Sequence, residues 1–425
     1  MIFVKRQESI RLLRLAVVLL TSVRTMAWAQ EWPRFRGPNG SGVSTVKVLP
    51  TEWTESDYRW QIDLPGVGHS SPVVRGDLLV TTCGLETDGT RIILGIDATT
   101  GKQRWRTEFA ATTHGRHKLN SLASATPAID ERGIYTCWAT QESFRVIALD
   151  HRGREKWQAD LGPFKGGHGD GVSPIVYKEL VVVPKEHQGD SEIFALDRST
   201  GKIVWRVARN SRSTWATPCV FGAHGKVELI FVNYEHGITS LNPSDGKLNW
   251  EADVFDKRHT ESTIGSPVIA GDLVLGGSGY LSVRQEVIAI RPRADDRPNL
   301  ERVYCLDRGA PLCTTPLVVG NLLFLWADEG IVTCADAQTG KVHWKKRVGG
   351  TFYASPVAAA GHIYNISADG TVVVLAADKQ YRLVSRMELG ESSHSTPAIA
   401  HGAMYLRTFT KLFAIGTPGS GPAGP

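Results

Sequence analysis

The stretch DATTGKQRW, from Asp97 to Trp105, recurs along the chain and decides the fold. Related stretches run from Asp197 to Trp205, from Asn242 to Trp250 and from Asp336 to Trp344, and a shortened copy runs from Asp150 to Trp157. Self-similarity at a period of roughly 40–55 residues indicates supersecondary units that bury their apolar faces only against neighbouring units. The sequence therefore predicts an array of similar units.

A second phrase, a Ser or Thr followed by Pro, opens a short apolar run in each unit. It occurs eight times, at Ser71-Pro72, Thr126-Pro127, Ser173-Pro174, Thr217-Pro218, Ser266-Pro267, Thr315-Pro316, Ser355-Pro356 and Thr396-Pro397. Three apolar runs separated by turn signals, followed by the Trp stretch, predict four strands per unit. The Gly of the Trp stretch suits the hairpin between the third and fourth strands, because Gly adopts a positive φ without strain.

Eight four-stranded units predict an all-β protein, folded as an eight-bladed β-propeller of antiparallel blades. The last unit lacks a fourth strand, and we expect the segment from Tyr58 to Leu64 to supply it, with Trp60 in the repeated Trp position. This N-terminal strand would close the ring and remove both free sheet edges. The fifth and seventh units depart from the pattern, with Tyr304 or Val303 and with Val384 in place of Trp.

The repeats and their flanks predict four regions. We expect a signal peptide at residues 1–29, a Gly/Pro-rich strap at 30–57, the propeller at 58–416 and a disordered tail at 417–425. A basic start, an apolar stretch and the small-residue end Ala27-Trp28-Ala29 are typical of a secretory signal, cleaved here after Ala29. The apolar stretch is short for a membrane span, so we expect a periplasmic or secreted protein.

The net charge bears on a nucleic-acid partner, and the cysteine pattern bears on disulfide pairing. The formal net charge is +5, and residues 1–30 hold five Lys or Arg and one Glu, so the remaining chain is close to neutral. This balance does not indicate a nucleic-acid partner. The six Cys residues form no Cys-x-x-Cys motif, and their pairing cannot be deduced from the sequence. We expect a monomer.

The Ser-Pro strand, the following ALD or GID strand and the Thr-Gly-Lys-x-x-Trp hairpin resemble the pyrroloquinoline quinone (PQQ) repeat of quinoprotein-like β-propellers, from about Tyr58 to Gly416. The segment EWPRFRGPNGSG, from Glu31 to Gly42, resembles one found ahead of secreted bacterial propellers of this type. The resemblance implies one of two branches. One contains PQQ-dependent alcohol and sugar dehydrogenases, and the other has the non-catalytic architecture of BamB, an outer-membrane assembly protein.

For the dehydrogenase branch, the resemblance implies that Ca²⁺ holds PQQ through carboxylate and amide oxygens, with an Asp base, a stacking Trp and often a vicinal disulfide. No two Cys residues are adjacent in this sequence, and the repeat prolines follow one another at 40–55 residues, which leaves no enlarged insertions to enclose a cofactor. A Glu, an Asn and an Asp cannot be aligned with the calcium ligands. We therefore predict no catalytic residues.

Blade geometry predicts where a site would lie. The loops that enter each first strand and those between second and third strands open on one face of the ring, here called the loop face. Residues three positions before each repeat Pro should surround the channel mouth on this face: His69, Ser124, Gly171, Trp215, Ile264, Cys313, Tyr353 and His394. The ligand candidates at the mouth are His69, Asp170, Trp215, Tyr353 and His394.

Histidine is concentrated in the loops of this face. Eight of the thirteen fall there: His69, His114, His117, His168, His187, His236, His259 and His394. Imidazole suits Zn²⁺, Cu²⁺ and Fe²⁺, which makes His69, His168 and His394 candidates for a transition-metal site. The alternative is that these side chains are solvated or cap turns.

Two functions remain open on the sequence alone. The first is an exported, non-catalytic PQQ-like β-propeller that acts as a protein-interaction or ligand-binding scaffold, with an unknown protein or small ligand on the loop face. The second is a PQQ- or metal-dependent periplasmic oxidoreductase, of quinoprotein dehydrogenase type, with its site at the channel mouth.

Overall fold

A computed structural model describes residues 31–223, 225–258, 262–280, 284–292 and 300–416. The predicted signal peptide, the predicted tail and His259 lie outside these residues. The described strands form eight separate four-stranded antiparallel sheets, which confirms the predicted eight-bladed β-propeller. No helix in this part of the chain is long and apolar enough to cross a membrane.

Each of the first seven blades uses four consecutive strands, numbered from the channel outwards. Blade 1 comprises β2 (Val73–Arg75), β3 (Leu78–Gly84), β4 (Arg91–Asp97) and β5 (Gln103–Phe109), and blade 2 comprises β6 (Ala128–Ile129), β7 (Ile134–Ala139), β8 (Phe144–Leu149) and β9 (Glu155–Asp160). Blade 3 comprises β10 (Ile175–Tyr177), β11 (Leu180–Lys185), β12 (Glu192–Asp197) and β13 (Ile203–Ala208). Blade 4 comprises β14 (Cys219–Ala223), β15 (Lys226–Asn233), β16 (Gly237–Leu241) and β17 (Leu248–Ala252). Blade 5 comprises β18 (Val268–Ala270), β19 (Leu273–Tyr280), β20 (Arg284–Pro292) and β21 (Leu300–Leu306). Blade 6 comprises β22 (Leu317–Val319), β23 (Leu322–Trp326), β24 (Ile331–Asp336) and β25 (Val342–Arg347). Blade 7 comprises β26 (Val357–Ala359), β27 (His362–Ile366), β28 (Thr371–Ala376) and β29 (Leu383–Glu388).

Blade 8 joins the two ends of the chain. Its inner strands are β30 (Ala398–Ala400), β31 (Ala403–Arg407) and β32 (Lys411–Gly416), and its outermost strand is β1 (Tyr58–Asp63). Trp60 of β1 lies opposite Ala414 of β32, the register expected for the repeated Trp. The N-terminal strand therefore closes the ring as predicted, and this joint lies between blades 8 and 1.

The repeated Ser or Thr links neighbouring blades near the channel. At seven of the eight joints its backbone N–H donates to the hydroxyl of its counterpart in the next blade: Ser71 to Thr126, Thr126 to Ser173, Ser173 to Thr217, Thr217 to Ser266, Ser266 to Thr315, Thr315 to Ser355 and Ser355 to Thr396, at 2.9–3.3 Å. We call these eight residues the hydroxyl ring. The following Pro has no N–H to satisfy and directly precedes the innermost strand.

The repeated Trp makes a second link, at the outer edge. The indole N–H of Trp157 donates to the carbonyl of Arg198 in the next blade (2.9 Å), and its ring covers Gly201 of the next Trp stretch. A Cβ on Gly201 would lie 2.5 Å from this ring, and its φ is +72°, so the position requires Gly. The same contact joins Trp60 to Gly101, Trp105 to Gly153 and Trp205 to Gly246.

The two degenerate blades keep different parts of this link. In blade 5, Tyr304 takes the Trp position and its hydroxyl donates to the carbonyl of Ala337 (2.8 Å). In blade 7 the position falls on Ser385, opposite Val374, and the expectation of Val384 was wrong by one residue. The Ser385 hydroxyl donates to the carbonyl of Thr51, so the strap replaces the missing indole contact.

The hydrophobic core lies between the blades. In one cluster, Tyr135 and Val146 of blade 2 pack against Val183 and Phe194 of blade 3, and all four are exposed by no more than 2%. Neighbouring sheets therefore pack face to face around the channel, which is how sheets that cannot be stable alone bury both faces.

The segment from Glu31 to Ser44 crosses the channel at the end opposite the loop face. Trp32 exchanges backbone hydrogen bonds with Val74 of blade 1 (both 2.9 Å), and the Pro33 carbonyl accepts from the Ile129 N–H of blade 2 (2.8 Å). The Ser44 N–H donates to the Ala358 carbonyl of blade 7 (2.8 Å). This segment therefore spans one end of the channel and is hydrogen-bonded to blades 1, 2 and 7. Two short 3₁₀ turns, Pro38–Gly40 and Glu55–Asp57, complete the N-terminal region.

Candidate functional site

A cavity of about 490 Å³ opens at the centre of the loop face. Its lining includes Phe35, which the N-terminal segment brings to the inner end of the channel, so the cavity has a floor. All eight residues that precede a repeat Pro by three positions line it, as do the members of the hydroxyl ring other than Ser266. The repeat therefore places the same two positions of every blade around one space.

Four of the five predicted ligand candidates line this cavity: His69, Trp215, Tyr353 and His394. The ring centroids of His69 and His394 are 4.6 Å apart, and Tyr353 meets His394 edge to face at 4.7 Å. His69 precedes blade 1 and His394 precedes blade 8. Closure of the ring by β1 therefore brings the two imidazoles into contact.

A second histidine pair lines the same cavity. The rings of His117 and His168 are 5.2 Å apart, and His168 meets Trp215 edge to face at 5.9 Å. His117 lies in the connection between blades 1 and 2, residues 110–127, and its N–H donates to the His168 carbonyl (3.3 Å). Sequence reasoning counted His117 only among the histidines of the loop face, because this connection has no counterpart in the other repeats.

Asp170 does not line the cavity. Its neighbour Gly171 does, and adjacent residues of an extended chain point in opposite directions, so the Asp170 side chain turns away into a small space lined by Arg91 and Cys137. Burial raises the pKa of this carboxyl to about 6, and the nearby Arg91 opposes the rise. Asp170 is therefore a buried group between blades rather than a contact for a ligand at the mouth.

The imidazoles at the blade 8 to blade 1 joint are neutral at neutral pH. Burial, together with the neighbouring His394 and Arg407, holds the pKa of His69 well below its usual range. Burial also lowers the pKa of His394. Neutral imidazole offers one donor and one acceptor, so the pair can hydrogen-bond a ligand or bind a metal.

The three metal candidates fall into separate pairs. His69 contacts His394, whereas His168 contacts His117 on another part of the wall. Among the residues that the structure describes, no three His, Cys, Asp or Glu side chains are grouped so that they could hold a metal ion.

The cavity lining does not fit the calcium site of a quinoprotein. Ca²⁺ takes six to eight oxygen ligands with carboxylates prominent among them. The described residues of the lining include the Asn120 amide but no Asp or Glu, and their permanently charged side chain is Arg212. This donor set favours neutral or anionic ligands over cations.

Cys313 is the thiol in the lining, and its environment suppresses its reactivity. Burial, reinforced by the adjacent Asp328, raises the pKa of this thiol well above its usual range. A thiol that stays protonated is a weak nucleophile. All six cysteines are free in the structure.

A family profile described as outer membrane protein assembly factor BamB matches the chain over residues 56–213, 142–297 and 299–417. One relative is the outer membrane protein assembly factor BamB of Yersinia pestis, which is 22% identical over 323 residues. The alignment covers 73% of this chain and 65% of the relative, so the chain spans slightly less than two thirds of that protein.

Two solved structures show the same fold at low sequence identity. BamB from Moraxella catarrhalis is 16% identical with a TM-score of 0.60, and the match covers 85% of this chain and 97% of that one. The quinohemoprotein alcohol dehydrogenase from Comamonas testosteroni is 13% identical with a TM-score of 0.64, and covers 94% of this chain and 82% of that one. The fold is thus shared by a named assembly factor and a named dehydrogenase.

Proposed function

The chain belongs to the family of the outer membrane protein assembly factor BamB, a family of PQQ-repeat β-propellers, and on that premise we propose that it is an exported, non-catalytic binding scaffold. Its cavity on the loop face receives a segment of a partner protein or a small ligand. The name of the relatives makes proteins involved in outer-membrane assembly the first partners to test.

The observation that carries this proposal is the composition of the cavity. Aromatic rings, neutral imidazoles and hydroxyl groups surround about 490 Å³ and are floored by Phe35. Recognition sites combine an apolar, concave surface with a few placed polar groups, and this lining has both. The described wall lacks the carboxylate that a calcium-bound quinone would need, and its thiol is held in the protonated form.

Site-specific photo-crosslinking tests the proposal. A benzophenone amino acid replaces Tyr353 at the mouth, and a control places it at Val204, which is 51% exposed on the outer strand of blade 3. After irradiation of the producing cells, mass spectrometry should identify a reproducible adduct from position 353 that position 204 does not give. The scaffold proposal fails if position 353 gives no adduct or the same adducts as position 204.

We also propose a periplasmic or secreted location, supported by the pattern of residues 1–29. N-terminal sequencing of the protein from fractionated cells should begin at Gln30. An intact Met1 on the protein from the cytoplasm would contradict this location.

The alternative, a metal-dependent oxidoreductase, is favoured by one observation: two histidine pairs face a single cavity. Metal analysis of the purified protein and of the His69→Ala and His394→Ala variants separates the two functions. Stoichiometric metal that both variants lose would support the oxidoreductase. A native protein without stoichiometric metal would support the scaffold.

A further inference from the structure

The hydroxyl ring holds unused hydrogen-bond donors at the inner end of the cavity. At seven positions the side-chain oxygen already accepts a backbone N–H, and among the described residues none of these hydroxyls has an acceptor for its own proton. The ring members that line the cavity are exposed by no more than 4%. Each has a proton to donate, and the space beside it is the channel.

Ser71 is the exception within the ring and the most informative member. Its hydroxyl is buried and has no hydrogen-bond partner in the described structure, although it lines the cavity. At the joint between blades 8 and 1, Arg407 donates to the carbonyl and hydroxyl of Ser70, and the Ser395 hydroxyl donates to the same carbonyl (3.0 Å). Ser71 therefore presents a polar group that the fold itself does not satisfy.

Two buried guanidinium groups lie next to the ring on the floor side. Arg34 donates to the carbonyl of Pro218 (2.5 Å), and Arg36 donates to the carbonyl of Pro356 (3.2 Å). These two prolines directly follow ring members. Neither arginine lines the cavity, so both guanidinium groups contact the backbone beside the ring from outside the cavity.

Neither guanidinium has an acidic partner among the described residues. Arg34 is exposed by 8% and Arg36 by 0%, and no Asp or Glu forms an ion pair with either one. Burial lowers the pKa of Arg34 to about 10 and that of Arg36 to about 9, so both remain charged at neutral pH. A buried charge without a counter-ion is costly, and an anion in the channel would relieve that cost.

We propose that the inner end of the cavity, where the hydroxyl ring meets Phe35, binds the carboxylate of an organic acid. The ring hydroxyls that line the cavity, including Ser71 but not Ser266, donate to the carboxylate oxygens, and Arg34 and Arg36 supply the positive field. The body of the acid extends towards Trp215 and Tyr353 at the mouth. This inference rests on the proposed function, because it specifies the ligand that the same cavity accepts.

Two kinds of ligand carry the carboxylate group that this site would bind. A carboxylate reaches the cavity on a free small acid or at the C-terminus of a partner polypeptide. Both present two oxygens to the same donors, so the ring alone does not distinguish them. The binding experiment therefore contains one arm for each source.

Isothermal titration of the mature protein with benzoate and with benzamide provides the first arm. The two probes have the same size and ring, and only benzoate carries the charge. The second arm compares the peptide Ala-Leu-Phe with its C-terminal amide. We expect each carboxylate to bind at least about tenfold more tightly than its neutral counterpart, as expected for loss of a charge-assisted hydrogen bond. The carboxylate with the higher affinity identifies the source.

Two serine variants separate binding from folding. Ser71→Ala removes a hydroxyl without a protein partner, so it should weaken benzoate about tenfold while the thermal midpoint stays unchanged. Ser266→Ala removes a ring hydroxyl that accepts the Thr217 N–H (2.9 Å) but does not line the cavity. It should lower the thermal midpoint and leave benzoate affinity unchanged.

Equal affinities for the charged and neutral probes, no binding of either carboxylate, or unchanged benzoate affinity in Ser71→Ala would each overturn the carboxylate site. The crosslinking experiment at position 353 keeps the two proposals distinguishable. An adduct at 353 together with any of these results would refute the ligand class and retain the scaffold. The absence of an adduct refutes the scaffold itself.

Discussion

Arg407 of the last blade donates to the hydroxyl of Ser70 ahead of the first blade, with Nη1 and Oγ 2.6 Å apart. The same nitrogen reaches the Thr82 carbonyl (2.7 Å), and the side chain is exposed by 1%. At the other seven joints a hydroxyl of the ring makes the connection. Near the channel, the joint that closes the propeller therefore uses a buried arginine where the other seven joints use a ring hydroxyl.

The Arg407→Met variant should destabilise the protein strongly. It keeps much of the side-chain volume but removes the buried, charge-assisted hydrogen bonds that Nη1 donates to Ser70, Thr81 and Thr82, at a cost of about 3 kcal/mol in the free energy of unfolding. Urea denaturation followed by tryptophan fluorescence measures this change. An unchanged denaturation midpoint would show that the joint does not depend on Arg407.

The neighbouring ring members Thr126 and Ser71 should differ in how much their hydroxyl groups contribute to the free energy of unfolding. Thr126→Val removes the acceptor of the buried Ser71 N–H (2.9 Å) while preserving shape, and should lower the free energy of unfolding by about 1–3 kcal/mol. Ser71→Ala is the control, since its hydroxyl has no partner to lose. Equal losses in the two variants would contradict the role of the ring in joining blades.

The Trp stretch predicts a steric penalty at its glycine. Gly201→Ala places a methyl group 2.5 Å from the Trp157 ring at a φ of +72°, and should cost about 2–5 kcal/mol. Gly361 also has a positive φ, +76°, but has no atom within 4 Å of an added Cβ. Gly361→Ala should therefore cost only the backbone strain, about 1–2 kcal/mol. Thermal denaturation of the pair isolates the indole contact, which is refuted if the two midpoints agree.

The sequence predicted those features that repeat, because eight copies fix the phase of each strand and loop. The number of blades, the strand that closes the ring and the residues around the mouth follow from that phase. Ser385 was missed because the turn before β29 is one residue longer than the turn before β25. The Ala376 N–H donates to the carbonyl of Arg382, six residues on, whereas the Asp336 N–H donates to the carbonyl of Lys341, five residues on, and the extra residue moves the Trp position from Val384 to Ser385.

The site was less predictable wherever the chain leaves the repeat. Asp170 points away from the cavity because its neighbour Gly171 faces it, an orientation that depends on the irregular path of one connection. The position of His117 depends on the long segment between blades 1 and 2. The floor formed by Phe35 depends on the course of the N-terminal segment, whose contacts lie in distant parts of the sequence.

The histidine pair at the closing joint predicts that stability falls in mild acid. His69 and His394 have lower pKa values in the folded protein than the ordinary value of 6.5, so below that pH the unfolded chain binds more protons. Their contribution is complete above 6.5 and is lost as the pH falls towards the folded pKa values. Urea midpoints at pH 7.5 and 5.5 measure the loss, and the His69→Phe/His394→Phe variant should show a smaller difference. The same difference in the variant would assign the effect to other groups.

The central claim is that the cavity binds a ligand without catalysing its oxidation. The most direct test adds PQQ and Ca²⁺ to the purified mature protein, removes the excess, and measures retained quinone absorbance together with dye-linked oxidation of alcohols and aldoses. Because the described lining has no carboxylate to hold Ca²⁺, we predict no stoichiometric quinone and no turnover. Tight retention of PQQ with turnover would contradict this account.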